Sequence, residues 1–140
     1  MIKLKSVYWH KDAPRVLLAL MESRLADKQA VNISHKEMPT WWQHILFILS
    51  RRNGFWYLII DDFVGPIGWV YLNKRNEIGI MLFPGSRGLG TGTEAIKILM
   101  EKHPRKRYLA NINPANERSI KFFKRLGFKN CVQWTFERRT

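Results

Sequence analysis

Phe83-Pro84-Gly85-Ser86-Arg87-Gly88-Leu89-Gly90-Thr91-Gly92 puts four glycines into ten residues, between an apolar run and an amphipathic one. Glycine lets a backbone approach a ligand closely and take conformations that a side chain forbids. Thr91, Thr93 and Glu94 then open a helical pattern, so unpaired amides and the positive end of a helix dipole face the loop. That corner has two readings: a strand-to-helix turn with a purely structural task, or a cradle for a phosphate or pyrophosphate. The chain's charge bears on the choice, because 24 Lys and Arg oppose 11 Asp and Glu for a net +13. Such an excess implies a phosphorylated or polyanionic partner: nucleic acid, a phosphate-rich cofactor, a nucleotide-linked substrate or an acidic protein. The plainer reading is a basic surface that serves solubility alone.

Other chemistries find little support. The single cysteine, Cys131, has no partner for an internal disulfide and reads as a packed thiol in a reducing compartment. No metal-ligand spacing accompanies it, so no metal is expected. The longest apolar runs, residues 41–49 and 55–60, are too short to span a bilayer, and Met1-Ile2-Lys3-Leu4-Lys5 lacks a signal-peptide core. The expectation is a soluble, cytoplasmic protein that does not engage membranes. With 140 residues, 46% of them hydrophobic, the chain suits one domain over residues 1–140.

The elements that must position the loop follow from periodicity. Ile2, Leu4, Ser6 and Tyr8 alternate with Lys3, Lys5 and Val7 as a half-buried strand. Pro14 begins a helix with Val16, Leu17, Leu20, Met21 and Leu25 at helical spacing, capped by Asp12 or Ala13. Ser34-His35-Lys36-Glu37 has the form of a capping box for a second helix, which carries Trp41, Trp42, Ile45, Leu46 and Leu49 on its inner side and ends at Asn53-Gly54. The tryptophan pair is expected in the core or on a cleft wall. Residues 55–60, 64–72 and 77–83 form an antiparallel meander turning at Asp61-Asp62 and at residues 73–76, with Gly79 marking a bulge or a ligand's approach. A helix after the loop buries Ala95, Ile96, Leu99 and Met100. Residues 108–113 form a strand, and Asn116 or Ala115 caps a helix with Ile120, Phe123 and Leu126 inward that Gly127 ends. Residues 128–138 close the chain as a long strand. The order is β-α-α-β-β-β-α-β-α-β, and the strands on either side of the loop and its helix are expected to run parallel through a right-handed crossover.

Two motifs in this order resemble the GCN5-related N-acetyltransferase (GNAT) superfamily over nearly the whole chain. One is Arg87-Gly88-Leu89-Gly90-Thr91-Gly92, matching an Arg or Gln followed by x-x-Gly-x-Gly. The other is residues 116–128, matching an Asn, a helix and then Leu126-Gly127-Phe128. The resemblance implies an α/β (α+β) fold with a mixed, mainly antiparallel sheet of six to seven strands flanked by about four helices. It implies acetyl-CoA as cofactor and an acyl-CoA N-acyltransferase that transfers acetyl to a primary amine by direct attack. Backbone amides from Leu89 through Thr93 would hold the pyrophosphate. Met81, Leu82 and Phe83 would lie along the pantetheine arm, with an amide near Met81 or Leu82 polarising the acetyl carbonyl. The segment around residues 109–113 would splay from that strand to leave a slot, Asn116 would hydrogen-bond the cofactor, and Arg118 or Lys124 would meet its 3′-phosphate.

Glu77 stands where some family members carry a glutamate base; its plainer role is an exposed carboxylate paired with Lys74 or Arg75. Phe123 stands where many carry a tyrosine acid, so Tyr108, Tyr71 or water substitutes, or the thiolate of a thiol with a pKa of about 8.5 leaves unaided. Phe123 itself packs beside the cofactor arm or in the core. The acceptor, framed in this superfamily by the first two helices and the meander, would meet Trp41, Trp69 and Tyr71, with Trp42, His35, His44 and Asp61-Asp62 nearby. The basic surface favours an anionic acceptor such as an amino sugar nucleotide or an acidic protein's terminus. The missing tyrosine also permits a catalytically weak GNAT-fold module that binds nucleic acid or a protein partner through its basic surface, with nucleic acid the less favoured ligand. The chain is expected as a monomer or a homodimer, with strand exchange at its C-terminus.

Overall fold

The computed structural model describes residues 1–26, 37–131 and 136–139. The alternation at the N-terminus becomes strand β1 (Ile2–Ser6), followed by a short 3-10 turn at Val7–Trp9 and helix α1 (Ala13–Ala26). Helix α2 (Trp41–Ser50) leads to the meander β2 (Phe55–Asp61), β3 (Gly65–Leu72) and β4 (Ile78–Leu82), then α3 (Thr91–Lys102) and α4 (Glu117–Arg125). The described sheet runs β1-β2-β3-β4 with every neighbour antiparallel.

Each face of the sheet carries its own apolar cluster. Ile59, Val70, Leu72 and Ile78 face α3 and α4, meeting Ala95, Ile96, Leu99 and Phe123. On the other face Trp56 and Leu58 meet Ala13 and Leu17 of α1 and Ile48 of α2. A bulge between Ile59 and Ile60 leaves Ile67 of β3 without a partner on β2, and the extra residue turns into the α3–α4 cluster. Gly79 carries no bulge. The Tyr71 ring lies across it, and a Cβ there would stand 2.2 Å from that ring.

Two expected strands do not form among the described residues. The segment 108–113 makes one parallel bridge, Glu77 to Leu109, through Ile78 N–H to the Leu109 carbonyl at 2.7 Å and Leu109 N–H to the Asn76 carbonyl at 2.8 Å. The expected parallel direction is there, but pairing stops after one step, and Pro114 follows close behind. Of the expected strand 128–138, residues 128–131 and 136–139 take no strand conformation and 132–135 lie outside the described residues. A strand needs an edge to satisfy its backbone groups, and a segment that bridges once offers none.

Helix α2 also departs from expectation. Ser34-His35-Lys36 lies outside the described residues, and the helix starts at a different capping box, Thr40 with Gln43: the Gln43 N–H donates to Thr40 Oγ1 at 3.2 Å and the Thr40 N–H to Gln43 Oε1 at 2.9 Å. It ends at Arg51, whose φ of 54° is left-handed, before Asn53-Gly54. Its inner residues are His44 and Ile48, while Trp41, Trp42, Leu46 and Leu49 face outward. A helix that is apolar nearly all round gives periodicity nothing with which to choose a face.

Two polar side chains tie the layers. His44, 3% exposed, reaches the Pro14 carbonyl through Nε2 at 2.9 Å and so joins α2 to α1. Tyr108 donates its hydroxyl to the His103 carbonyl at 2.8 Å and accepts the Arg105 N–H at 2.9 Å, locking the turn after α3. His103 in turn stacks on Phe55, centroids 3.8 Å apart, and its Nε2 lies 2.6 Å from the Tyr57 hydroxyl.

Burial lowers His44 from its ordinary value, partly opposed by the Pro14 hydrogen bond, and burial with Arg105 and Lys102 lowers His103. The fold therefore favours neutral imidazoles, and the unfolded chain takes up protons first as pH falls through about 6.5. Stability is complete above that point and is lost as pH falls toward the depressed folded values. Melting temperature should drop on acidification below about pH 6.5, and His44→Gln should flatten that limb; an unchanged slope in the variant would reject the linkage. Tyr108→Phe should cost about 0.5–1.5 kcal/mol through loss of the hydroxyl's hydrogen bonds to the turn, measurable by urea titration, while leaving any catalytic turnover near wild type.

Candidate active site

The glycine loop is built to present backbone. Phe83 N–H donates to the Ile67 carbonyl at 2.9 Å and closes the β3–β4 ladder, after which Pro84–Ser86 forms a 3-10 turn. Gly88 and Gly90 hold φ of 79° and 77°, values that side chains rarely adopt. Gly90 occupies the cap position of α3 and offers no side chain, so the first amides of that helix are left for a ligand.

Beside this loop runs the outer edge of β4. Asn73 N–H to the Glu77 carbonyl and Phe83 N–H to the Ile67 carbonyl set the alternation of the β3–β4 ladder. The pairs Tyr71–Gly79 and Trp69–Met81 therefore exchange hydrogen bonds, whereas Ile78, Ile80 and Leu82 turn their amides outward. Ile78 spends its amide on Leu109; Ile80 and Leu82 open onto a cleft. The amide of Met81, one of the two named from sequence as an oxyanion donor, points into the sheet, whereas those of Leu82 and Ile80 face outward.

This loop-side cleft, about 470 Å³, is walled by Ile80, Leu82, Phe122 and Leu126, floored by Gly88, Gly90, Gly92 and Thr93, and edged by Arg24, Arg87, Arg118 and Arg125. No carboxylate lies among its lining residues. Left-handed glycines, an uncapped helix start, the guanidinium groups of Arg87, Arg118 and Arg125 and an unpaired strand edge together fit a long ligand with phosphates at one end and amide groups in its arm.

A second cavity, about 660 Å³, lies on the other side of β4 and is largely aromatic, with Phe47, Trp56, Trp69 and Tyr71 among its walls. Trp69 and Tyr71 stack at 5.6 Å between centroids. Glu77 is the carboxylate of this cavity, and the turn before it holds it in place. Asn73 Oδ1 accepts the Arg75 and Glu77 amides, as asparagine does in tight turns. Asn73 Nδ2 donates to Glu77 Oε1 at 3.1 Å, and Asn111 Nδ2 donates to Oε2. Neither Lys74 nor Arg75 appears among its hydrogen-bond partners. Burial raises the Tyr71 hydroxyl from its ordinary value, Glu77 adds to the rise, and Arg24 opposes it. The two clefts meet at Arg24, Ile80, Met81, Asn116 and Ser119.

Most of the expected ligand-holding residues gather here. Met81, Leu82, Arg87, Gly88, Gly90, Gly92, Thr93 and Asn116 line the loop-side cleft, and Trp69 and Tyr71 the aromatic one. Leu89 is 77% exposed at the loop tip, and neither it nor Thr91 or Phe83 is part of the lining. Asn116 is buried, and its Oδ1 accepts the Ser119 N–H at 3.2 Å, so it caps α4 as well as reaching both clefts. Phe123 lines the aromatic cavity and packs edge-on against Phe122 and Phe128 in the core. Tyr108 lies in neither cleft, and its hydroxyl bonds to the turn after α3. Trp41 lies outside both clefts too, on the outer face of α2.

Sequence reading passed over Arg24, Asn73 and Asn111. The Asn73-Lys74-Arg75-Asn76 turn immediately before Glu77 was a signal for the first asparagine; Arg24 and Asn111 come from elements far apart in the chain and left none.

A family model described as an acetyltransferase (GNAT) domain matches residues 7–129. A peptidyl-lysine N-acetyltransferase, YjaB of Escherichia coli (strain K12), is 25% identical over 73 residues, 52% of this chain and 48% of that protein. The match thus spans about half the length of that curated relative. Among solved structures, a GNAT superfamily phosphinothricin acetyltransferase from Sinorhizobium meliloti, in complex with AcCoA, superposes with a TM-score of 0.72 at 22% identity, covering 92% of this chain and 74% of that one. A ribosomal-protein-alanine N-acetyltransferase from Brucella melitensis gives a TM-score of 0.71 at 16% identity, covering 94% and 86%. No helix among the described residues is long and apolar enough to cross a membrane. With the family match running from the first 3-10 turn to just past Leu126-Gly127-Phe128, this chain belongs to the GNAT acetyltransferase family.

Proposed function

We propose that this chain is an acetyl-CoA-dependent N-acetyltransferase that passes an acetyl group to a primary amine by direct attack. The observation that carries this is the junction of two clefts at one strand edge: a cationic, amide-rich cleft on one side and an aromatic cavity holding one oriented carboxylate on the other. Nothing described favours the binding-module alternative.

The cofactor would be held by the amides that open α3, by Arg87, Arg118 and Arg125, and by the outward backbone groups of Ile80 and Leu82. When bound, acetyl-CoA supplies an activated acetyl thioester. Leu82 N–H, or that of Ile80, holds the carbonyl oxygen of the reacting group from a rigid strand. Glu77, fixed by Asn73 and Asn111, accepts the proton of the incoming amine directly or through one water. Tyr71 is the tyrosine that lines the aromatic cavity and so the phenol placed to return a proton, since Phe123 has none to give. Trp69 and Tyr71 form the wall against which the acceptor rests.

Glu77→Gln keeps the size and hydrogen-bonding reach of the side chain but removes the base. Turnover should fall by about 10²–10⁴-fold, with acetyl-CoA affinity by calorimetry nearly unchanged. Turnover equal to wild type would discard Glu77. Gly90→Val, which forces a β-branched residue into a left-handed φ, should weaken acetyl-CoA binding at least tenfold. Absence of any saturable acetyl-CoA binding by the wild-type protein would sink the enzyme reading itself.

A further inference from the structure

Arg24 carries a buried guanidinium nitrogen that no described residue meets. It comes from the last turn of α1 and lines both clefts where they meet. Its Nε is buried with no hydrogen-bond partner among the described residues. Burial lowers its pKa from the ordinary guanidinium value, and Arg87 and Arg118 push the same way. Leaving a buried guanidinium nitrogen without an acceptor, beside two other guanidinium groups, is costly unless an anion arrives to meet it.

Two anions could fill that role, the cofactor's phosphates or a group on the acceptor. The phosphates already have the α3 amides and Arg87, Arg118 and Arg125 on the loop side of β4. Arg24 also faces the aromatic cavity, next to Tyr71, whose hydroxyl senses both Arg24 and Glu77. The titratable and charged lining of that cavity is Arg24, Arg52, His44, Glu77 and Tyr71, and burial holds His44 toward its neutral form. One carboxylate and one guanidinium thus line the same cavity as the stacked Trp69 and Tyr71, and the Tyr71 hydroxyl senses both. Resting on the acetyltransferase reading above, we propose that the acceptor is a compact amine bearing its own carboxylate or phosphoryl group, with Glu77 on the amine side and Arg24 selecting the anion. A polyamine or a neutral amine would leave the guanidinium unmet.

The test is a panel of amino acids and aminoalkylphosphonates, each matched with its neutral amide or ester, plus short diamines. Acetylation would be followed as kcat/KM, and binding to the CoA-loaded protein by calorimetry, which needs no turnover. The expected result is at least tenfold preference for some acid over its amide, and the two anion types separate carboxylate from phosphoryl recognition. Arg24→Gln should lose that preference by weakening the acid alone, with acetyl-CoA affinity within twofold of wild type; Arg24→Lys should recover part of it, and Arg52→Gln should keep it. Amides or diamines performing as well as the acids would overturn the inference, as would failure of every acid to bind or an unchanged preference in Arg24→Gln. A loss of acetyl-CoA affinity in Arg24→Gln with acid preference intact would assign the guanidinium to the cofactor instead. If the wild-type protein binds no acetyl-CoA, the enzyme reading and this inference fall together; the other outcomes strike the inference alone.

Discussion

The outer edge of β4 is the constraint on which the rest depends. A sheet strand must satisfy its amides, and β4 satisfies three of its five: Gly79 and Met81 bond to β3, Ile78 bonds once to Leu109, and Ile80 and Leu82 are left facing a cleft. Were residues 108–113 to continue the ladder, the slot would close. Because the pairing stops at one bridge, the described sheet ends on an unpaired edge, flanked by α3 on one side and by the aromatic wall on the other. An unpaired edge of this kind is a standing site for an extended ligand with amide groups of its own.

Around that edge the chemistry is sorted by face. Alternation along β4 sends Ile80 and Leu82 to the side of α3, α4 and the glycine loop, and Gly79 and Met81 to the side of α1 and α2. Arginines from three different elements gather on the first side, and one carboxylate held by two asparagines on the second. The excess of positive charge is thus partly local: four guanidinium groups edge a single cleft with no acidic residue in its lining.

Legibility differed sharply between residues. Gly88, Gly90 and the late motif ending at Gly127 were readable because their demands are local: a left-handed φ is needed at each, and the φ values of 79°, 77° and 91° meet that demand. The meander was readable for the same reason, since alternation and turn residues act over a few positions. Trp41 and Trp42 were misread because α2 is apolar on nearly every side. The placement of Tyr108 away from both clefts was not legible, because a tyrosine near a motif says nothing about where its hydroxyl ends, and here it bonds to the turn after α3. The six- to seven-stranded expectation exceeded the four strands described, because a β-rich run becomes a strand only if an edge waits for it.

By itself, then, the amino-acid sequence determined what short-range physics decides: the α/β class, the three-strand meander, the glycine corner with its uncapped helix and the helix that ends at Leu126-Gly127. Only the tertiary structure decided the gathering of Arg24, Glu77 and Tyr71 in one cavity, the clasp of Asn111 on Glu77 and the outward turn of the Ile80 and Leu82 amides. Each of those joins residues that are distant in the chain, or depends on which neighbour a strand finds, and no local pattern encodes a partner that folding alone supplies.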